Sequence, residues 1–168
     1  MRLTFWTGFW VFLIDQLSKY LVVHTLDLAN VGRIEVLPPF LVFRMAWNTG
    51  VNFGLLSGAD MRWVLIAVAL VITAAVLIWV RREGGNRWAQ IGAGLLAGGA
   101  LGNVIDRIRF GYVVDFISVR LPFYDKIVPS SHGWWPTFNV ADSCICIAAV
   151  LLFLGGLKEE QTKKKVPG

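Results

Sequence analysis

The sequence "TFNVADSCICIAAVLLFLGGLK" (residues 137–158) combines a long apolar run with an acidic residue at its start. From Ala141 to Leu157 the run has the length and composition of a helix that crosses a lipid bilayer. Asp142 lies at the mouth of this predicted helix, and a carboxylate at the bilayer centre costs about 3 kcal/mol even on the mildest insertion scales. The sequence therefore predicts that Asp142 has a structural or a chemical role.

The composition favours one membrane domain over residues 1–168. The chain is 56% hydrophobic and 16% charged, which is too apolar for a soluble domain of this size. The net charge of +5 does not indicate nucleic acid binding, because the basic residues flank the apolar runs. Cys144 and Cys146 lie two residues apart in a predicted helix and point in different directions, so they predict neither a disulfide nor a metal site.

Four stretches are long and apolar enough to cross a bilayer, which takes roughly 20 residues per helix. They predict an all-α integral membrane protein with four transmembrane helices, at residues 5–23, 63–80, 88–105 and 140–157. The first stretch carries Asp15 and Lys19 and has no small-residue cleavage site. It is therefore predicted to be a retained helix rather than a cleaved signal peptide.

The distribution of Lys and Arg predicts the orientation of these helices. Lys and Arg are denser in the two termini and the turn 81–87 than in the loops 24–62 and 106–139. This bias places both termini in the cytoplasm and both long loops outside.

The first outer loop contains further predicted structure. Residues 33–47 are rich in β-branched and aromatic side chains and predict one or two strands. Residues 51–63 predict a short amphipathic helix that lies on the membrane surface. In the third span, Gly94, Gly98 and Gly102 follow at intervals of four, which predicts close packing against another helix.

Two groups of polar residues lie within the spans. Asp15 and Lys19 are four apart and predict an ion pair near the outer end of the first helix, with Lys19 extending to the interface. Asn103, Asp106 and Arg107 share one helix face. Asp106 beside Arg107 is expected to stay ionised and to organise neighbouring groups.

Asp115 and Asp142 lack a cation among their sequence neighbours. Taken singly, Asp142 reads as a helix cap and Asp115 as a loop carboxylate beside a strand. The predicted topology places both carboxylates at the same end of the bundle, where they can approach each other. Two carboxylates in a dry site share one proton, so one can act as general base on water and the other as general acid.

Other chemistries find few residues to support them. His24 and His132 are the only histidines and have no partner at metal-ligand spacing, so no zinc site is predicted. Ser143 lies in a predicted helix, but both histidines lie in loops, which disfavours a serine protease. A small cation transporter and a non-catalytic scaffold remain as alternatives. The transporter lacks polar residues through the depth of the spans, and the scaffold gives the two aspartates no role.

Five stretches of this chain resemble the bacterial lipoprotein signal peptidases (signal peptidase II). They run in order from the first span to the last: "DQLSK" (15–19), "WNTGVNFG" (47–54), "GGALGNVIDR" (98–107), "GYVVDFISV" (111–119) and "FNVADS" (138–143). The length and the four-span layout also agree with that family.

The resemblance implies an aspartic endopeptidase of the bacterial inner membrane. Asp115 and Asp142 are then the catalytic dyad, and the residues that line or support it are Asp15, Lys19, Asn48, Asn103, Asp106, Arg107 and Asn139. Such enzymes cut prolipoproteins just before a diacylglyceryl-modified cysteine and need no cofactor. The implied fold adds a small periplasmic β-cradle and a periplasmic amphipathic helix, and a monomer suffices. Asn52 departs from the family pattern, and the loop 121–137 is not expected to be closely shared with the family.

Overall fold

The computed structural model describes residues 1–50 and 61–165, with side chains described as far as residue 158. Four long helices dominate: α1 (Arg2–Tyr20), α3 (Met61–Arg82), α4 (Arg87–Phe110) and α5 (Val140–Lys165). One π-helical turn, Leu21–Thr25, extends α1, and the short helix α2 (Leu28–Val31) follows it. The three strands are β1 (Arg33–Leu37), β2 (Leu41–Asn48) and β3 (Val113–Val119).

The length and composition of three helices suffice to cross a membrane: Met61–Arg82, Arg87–Phe110 and Val140–Lys158. These match three of the four predicted spans. The helix α1 also forms, over much of the first predicted span, but it is not among these three. Its lower hydropathy has a clear source, since Asp15 and Lys19 lie in its second half. The structure therefore establishes a mostly helical membrane protein. That α1 also crosses the membrane, as a fourth span, stays a prediction.

The close packing predicted from the glycine spacing is confirmed. A Cβ atom at Gly94 would lie 2.7 Å from the backbone oxygen of Thr4 on α1. On another face of α4, a Cβ at Gly99 would lie 2.7 Å from the backbone oxygen of Ala141 on α5. The missing side chains thus let α1 and α5 both approach the α4 backbone, and α4 is the central helix.

A three-stranded antiparallel sheet, in the order β1-β2-β3, sits at one end of the helices. The prediction of one or two strands in residues 33–47 is confirmed by β1 and β2. The third strand was not predicted, because Asp115 was read as a loop residue. Most of β3 is buried on both faces, so its sequence "VVDFISV" lacks the alternation that marks a half-exposed strand.

The loop 121–137 contains two 3-10 turns, Pro122–Lys126 and Pro129–Ser131. Its end joins the sheet, where Arg44 Nε donates to Ser118 Oγ at 2.7 Å and to Thr137 Oγ1 at 3.3 Å. Phe138 then pairs with the backbone of Ile117 in an isolated β-bridge. Most of the predicted amphipathic helix at 51–63, and Asn52 with it, lies outside the described residues.

Candidate active site

Asp115 lies in the middle of β3, paired with Ala46 of β2, and its side chain is buried. Two amides donate to its carboxylate. Asn48 Nδ2, at the end of β2, lies 2.8 Å from Oδ2, and Asn139 Nδ2 lies 2.7 Å from Oδ1. The strand therefore fixes the carboxylate against the start of α5.

Asp142 and Asn139 form a reciprocal cap at the start of α5. The Asn139 side-chain oxygen accepts from the Asp142 backbone N–H at 2.9 Å, and Asp142 Oδ2 accepts from the Asn139 backbone N–H at 3.1 Å. This is the capping-box arrangement, with Asp in the place of Glu. The second oxygen of Asp142 accepts from Asn103 Nδ2 at 2.8 Å. The helix-cap reading of Asp142 is thus geometrically correct, yet it occupies only one carboxylate oxygen.

Asn139 links the two aspartates. Its side-chain nitrogen donates to Asp115, its backbone nitrogen donates to Asp142, and it is fully buried. The same side-chain nitrogen also donates to Asn103 Oδ1 at 3.2 Å. Both carboxylates are therefore held at one point, where β3, α4 and α5 meet.

Lys19 is the centre of a second, adjoining cluster. Its ammonium lies 2.8 Å from Asp15 and 2.8 Å from Asp106, and it donates to Asn103 Oδ1 at 3.1 Å. The predicted Asp15–Lys19 pair is present. The prediction that Lys19 extends to the interface is wrong, because its side chain is only 5% exposed and turns inward to these acceptors.

Asp106 takes its charge partner from another helix. The prediction paired it with Arg107, but consecutive residues on a helix point about 100° apart, and the Asp106 carboxylate faces Lys19 instead. Asp106 Oδ2 also accepts from the Val114 backbone N–H at 3.2 Å, which ties α4 to β3 next to Asp115. Asp106 thus organises its neighbours as predicted, through Lys19.

Arg107 lies on the side of this cluster that faces Asp115 and Asp142. Its guanidinium interacts electrostatically with Asp142, Asp115 and Asp106. It also reaches the Asn103 backbone oxygen at 3.5 Å. The two aspartates that lack cations in sequence therefore gain one in three dimensions.

Gln16 is a site residue that the sequence reasoning did not single out. Its amide nitrogen lies within hydrogen-bond distance of Asp15 Oδ2 (3.2 Å), Asp106 Oδ1 (3.0 Å) and the Gly102 backbone oxygen (3.3 Å). Gln16 lies next to Asp15 inside the quoted stretch "DQLSK". This position is the only feature of the sequence that could have indicated that Gln16 belongs to the site.

Burial raises the pKa of Asp115 from 3.8 to about 6. The negative charge of Asp142 raises this pKa as well, while the hydrogen bonds from Asn48 and Asn139 act in the opposite direction. A carboxyl of this pKa beside a second carboxylate keeps its proton to a higher pH than an ordinary aspartate does, and is half protonated at about pH 6. Within the described residues, no group of three His, Cys, Asp or Glu could hold a metal ion.

Residues 8–158 match the family described as signal peptidase (SPase) II. The chain belongs to the signal peptidase II family. This is a family of aspartic peptidases, so the protein is a protease.

Relatives agree over nearly the whole chain. The lipoprotein signal peptidase of Pseudomonas syringae pv. tomato is 35% identical over 164 residues, covering 96% of this chain and 89% of the relative. The lipoprotein signal peptidase of Vibrio cholerae is 36% identical over 165 residues, with 96% and 89% covered.

Two solved structures of a bacterial membrane enzyme, determined by the in meso method, are similar to this signal peptidase II family member. The structure at 2.3 Å has a TM-score of 0.79 and 29% identity, and covers 100% of this chain and 95% of its own. The structure at 1.9 Å has a TM-score of 0.78 and 31% identity, with 94% of each chain covered.

Proposed function

We propose that this protein removes the signal peptide from bacterial prolipoproteins by cutting the peptide bond just before a diacylglyceryl-modified cysteine. Family membership and the names of the relatives support this substrate class. We further propose that the reaction is an intramembrane aspartic proteolysis with Asp115 and Asp142 as the catalytic dyad, and that no cofactor takes part.

One observation supports the assignment of Asp115 and Asp142 as a catalytic pair. Asn139 donates hydrogen bonds to both carboxylates, from its side chain to Asp115 and from its backbone to Asp142. Two residues that lie 27 positions apart are thereby held on one rigid connector. This rigidity is what acid–base catalysis requires, since misplacement by about 1 Å can cost two orders of magnitude in rate.

The environments of the two carboxylates suggest their roles. Buried Asp115 retains a proton more readily, whereas half-buried Asp142 accepts from two N–H donors and faces Arg107. Asp142 then takes a proton from water, which attacks the scissile carbonyl carbon, while Asp115 gives its proton to the carbonyl oxygen. The tetrahedral diol collapses when its C–N bond breaks: the amine of the cysteine receives a proton from Asp142, and one diol hydroxyl returns its proton to Asp115, which restores the starting protonation of the dyad.

The cluster around Lys19 supports the dyad through Asn103. Asn103 accepts from Lys19 and donates to Asp142, so the position of one catalytic carboxylate depends on the buried ion cluster. We propose positioning roles for Asp15, Lys19, Asn103, Asp106 and Asn139, and contacts with the substrate or the dyad for Asn48 and Arg107.

The proposed membrane arrangement is a single domain with four spans and both termini in the cytoplasm of a bacterial inner membrane. The helix α1 lies along α4 from Thr4 beside Gly94 to Lys19 beside Asp106, which supports a fourth span. The dyad then lies near the outer face, where the bond that follows a signal-peptide helix would meet it. We propose that a monomer, in contact with lipid, is the active form.

The test is cleavage of a diacylglyceryl-modified prolipoprotein by purified protein in detergent, followed as a gel shift. Asp115→Asn and Asp142→Asn each replace a carboxylate by an amide of the same shape, and we expect both to reduce the rate by at least about 10³-fold, since an amide can neither accept nor donate the transferred proton. Asp27→Asn is the matched control, because the exposed Asp27 carboxylate accepts from nearby Asn30 and takes part in neither the dyad nor the Lys19 cluster. Wild-type-like cleavage by either dyad variant would refute the mechanism.

A further inference from the structure

A pocket that is not lined by Asp115 or Asp142 borders the Lys19 cluster. It is a cavity of about 310 Å³ between the outer end of α1, the last turn of α4 and the sheet. Its floor contains Gln16, Lys19 and Asp106, and its walls include the rings of Tyr20, Trp47 and Tyr112. The proposed cleavage reaction places no substrate in this pocket, although Lys19 and Asp106 also help to position the dyad.

The pocket carries separate positive and negative groups. Arg109 lies at its rim, stacked on Phe110, and has no carboxylate partner among residues 1–50 and 61–158. The buried cluster behind the floor has the opposite charge, because one ammonium, Lys19, is shared by the two carboxylates Asp15 and Asp106, and Asp106 itself lines the pocket. A ligand with both an anion and a cation therefore fits better than a simple anion.

The aromatic rings favour a cation in the interior of the pocket. Tyr20 and Trp47 line the pocket together with Asp106, and a bound ammonium gains from both a carboxylate charge and the quadrupoles of nearby aromatic rings. The anion of the same ligand would then pair with the exposed Arg109 at the rim. Aromatic rings at this level are also typical of the headgroup region of a membrane.

A separate apolar groove lies along the same face of α1. Its volume is about 480 Å³, and Phe5, Phe9 and Phe12 line it together with Ala97 and Leu101 of α4. The pocket residues Gln16 and Tyr20 follow these phenylalanines at intervals of four, so one stripe of α1 lines both cavities. From Tyr20 to Phe9 the stripe rises about 16 Å, which is close to one leaflet of about 15 Å.

We propose that the pocket and groove together bind one zwitterionic phospholipid with an ethanolamine headgroup. Its phosphate lies at Arg109, its ammonium lies over the acidic floor between the aromatic rings, and one acyl chain follows the α1 stripe into the groove. This lipid site is separate from the dyad and does not depend on the proposed cleavage reaction.

Native mass spectrometry of the protein, equilibrated with equal amounts of phosphatidylethanolamine and phosphatidylglycerol of the same chains, tests the proposal. We expect one bound phosphatidylethanolamine per wild-type chain and a loss of about tenfold or more in its affinity for Arg109→Gln. Arg120→Gln, which removes an exposed arginine elsewhere on the same end of the molecule, is the matched control and should bind as wild type.

Further measurements distinguish binding of the whole lipid from binding of its headgroup or of phosphate alone. Inorganic phosphate and soluble phosphoethanolamine, at the lipid concentration, should leave the lipid in place, because neither fills the groove. A six-carbon phosphatidylethanolamine should bind more weakly than a sixteen-carbon one. Equal retention of phosphatidylglycerol, unchanged binding by Arg109→Gln, or equal binding of the short lipid would each overturn the proposal. Thermal unfolding of the variants checks that they are folded.

Discussion

At the scale of single residues, a structural and a chemical role can occupy the same side chain. Asp142 caps α5 with one oxygen and faces Asn103 with the other. The sequence treated the cap and the catalytic group as alternatives, because hydrogen bonds to separate oxygens cannot be read from residue types. Lys19 illustrates the same limit, since its sequence predicts one partner, Asp15, and the fold supplies three.

The raised pKa of Asp115 predicts a pH-dependent stability. The folded state, with a pKa of about 6, binds this proton more tightly than the unfolded state, with 3.8. The contribution of Asp115 to the free energy of unfolding is therefore most favourable below pH 4 and is lost as the pH rises through 6, by about 3 kcal/mol for two pKa units. Asp115→Asn lacks this loss.

We therefore expect the unfolding temperature of Asp115→Asn, relative to wild type, to be higher at pH 8 than at pH 4.5. Tryptophan fluorescence during heating in detergent provides the measurement at both pH values. The amide of the variant has one acceptor oxygen instead of two, so it loses a hydrogen bond at every pH. The test is therefore how the difference in unfolding temperature between variant and wild type changes with pH, not its absolute size. A difference that is the same at pH 4.5 and pH 8 would contradict the assigned pKa.

Removing the Lys19 charge should destabilise the fold. Lys19→Met leaves the buried Asp15 and Asp106 carboxylates unpaired, and breaking a buried ion pair in this way costs about 3–5 kcal/mol. Thermal unfolding in detergent measures the loss, with exposed Lys126→Met as the control. Adding Asp15→Asn and Asp106→Asn to Lys19→Met should recover part of the stability. No recovery would mean that lost packing, rather than unpaired charge, is the cause.

At the scale of elements, α4 determines where the polar residues meet. Its glycines admit α1 on one face and α5 on another, and at the end of α4 nearest the sheet Asn103 and Asp106 lie between these helices. The strand β3 then brings Asp115 back to the same end. Close helix approach and the active-site geometry are thus consequences of one helix surface.

Gly98→Ala should therefore weaken both stability and cleavage. The added Cβ would meet the backbone oxygen of Gly8 and, at 2.8 Å, the Cβ of Val11, so α1 must move away from α4. Overpacking of this kind costs about 1–3 kcal/mol. Thermal unfolding and the gel-shift assay measure the two effects. Gly156→Ala on α5 is the control, because its Cβ would have no neighbour within 4 Å, and an equal loss in both variants would contradict the packing argument.

At the scale of the whole molecule, hydrogen bonds between Asp106 and β3 and between Asn139 and Asp115 join one end of the helices to the sheet. At the opposite end, the amino group of Met1 donates to Gln90 and Asn86 donates to the Gly155 backbone oxygen. The chain start, the α3–α4 turn and the second half of α5 thus lie together, away from the dyad. This arrangement agrees with the proposed topology.

Reporter fusions test the orientation. A fluorescent protein that folds only in the cytoplasm should fluoresce when fused after Gly168, because both termini are proposed to be cytoplasmic. Alkaline phosphatase, which is active only outside, should be active when fused after Lys126. The opposite pattern would reverse the topology and place the dyad at the inner face.

The sequence by itself determined the apolar helices, the close packing at the α4 glycines, strands in residues 33–47 and the two aspartates of the proposed dyad. These are local properties, set by hydropathy, residue spacing and the absence of a neighbouring cation. Only the tertiary structure decided that Lys19 turns inward, that Gln16 joins the site, that β3 carries Asp115 and that Asn139 connects both carboxylates. Hydrogen bonds between residues up to 126 positions apart, such as Ala141 N–H to Asp15, depend on how helices and sheet come together, and sequence spacing carries no record of that.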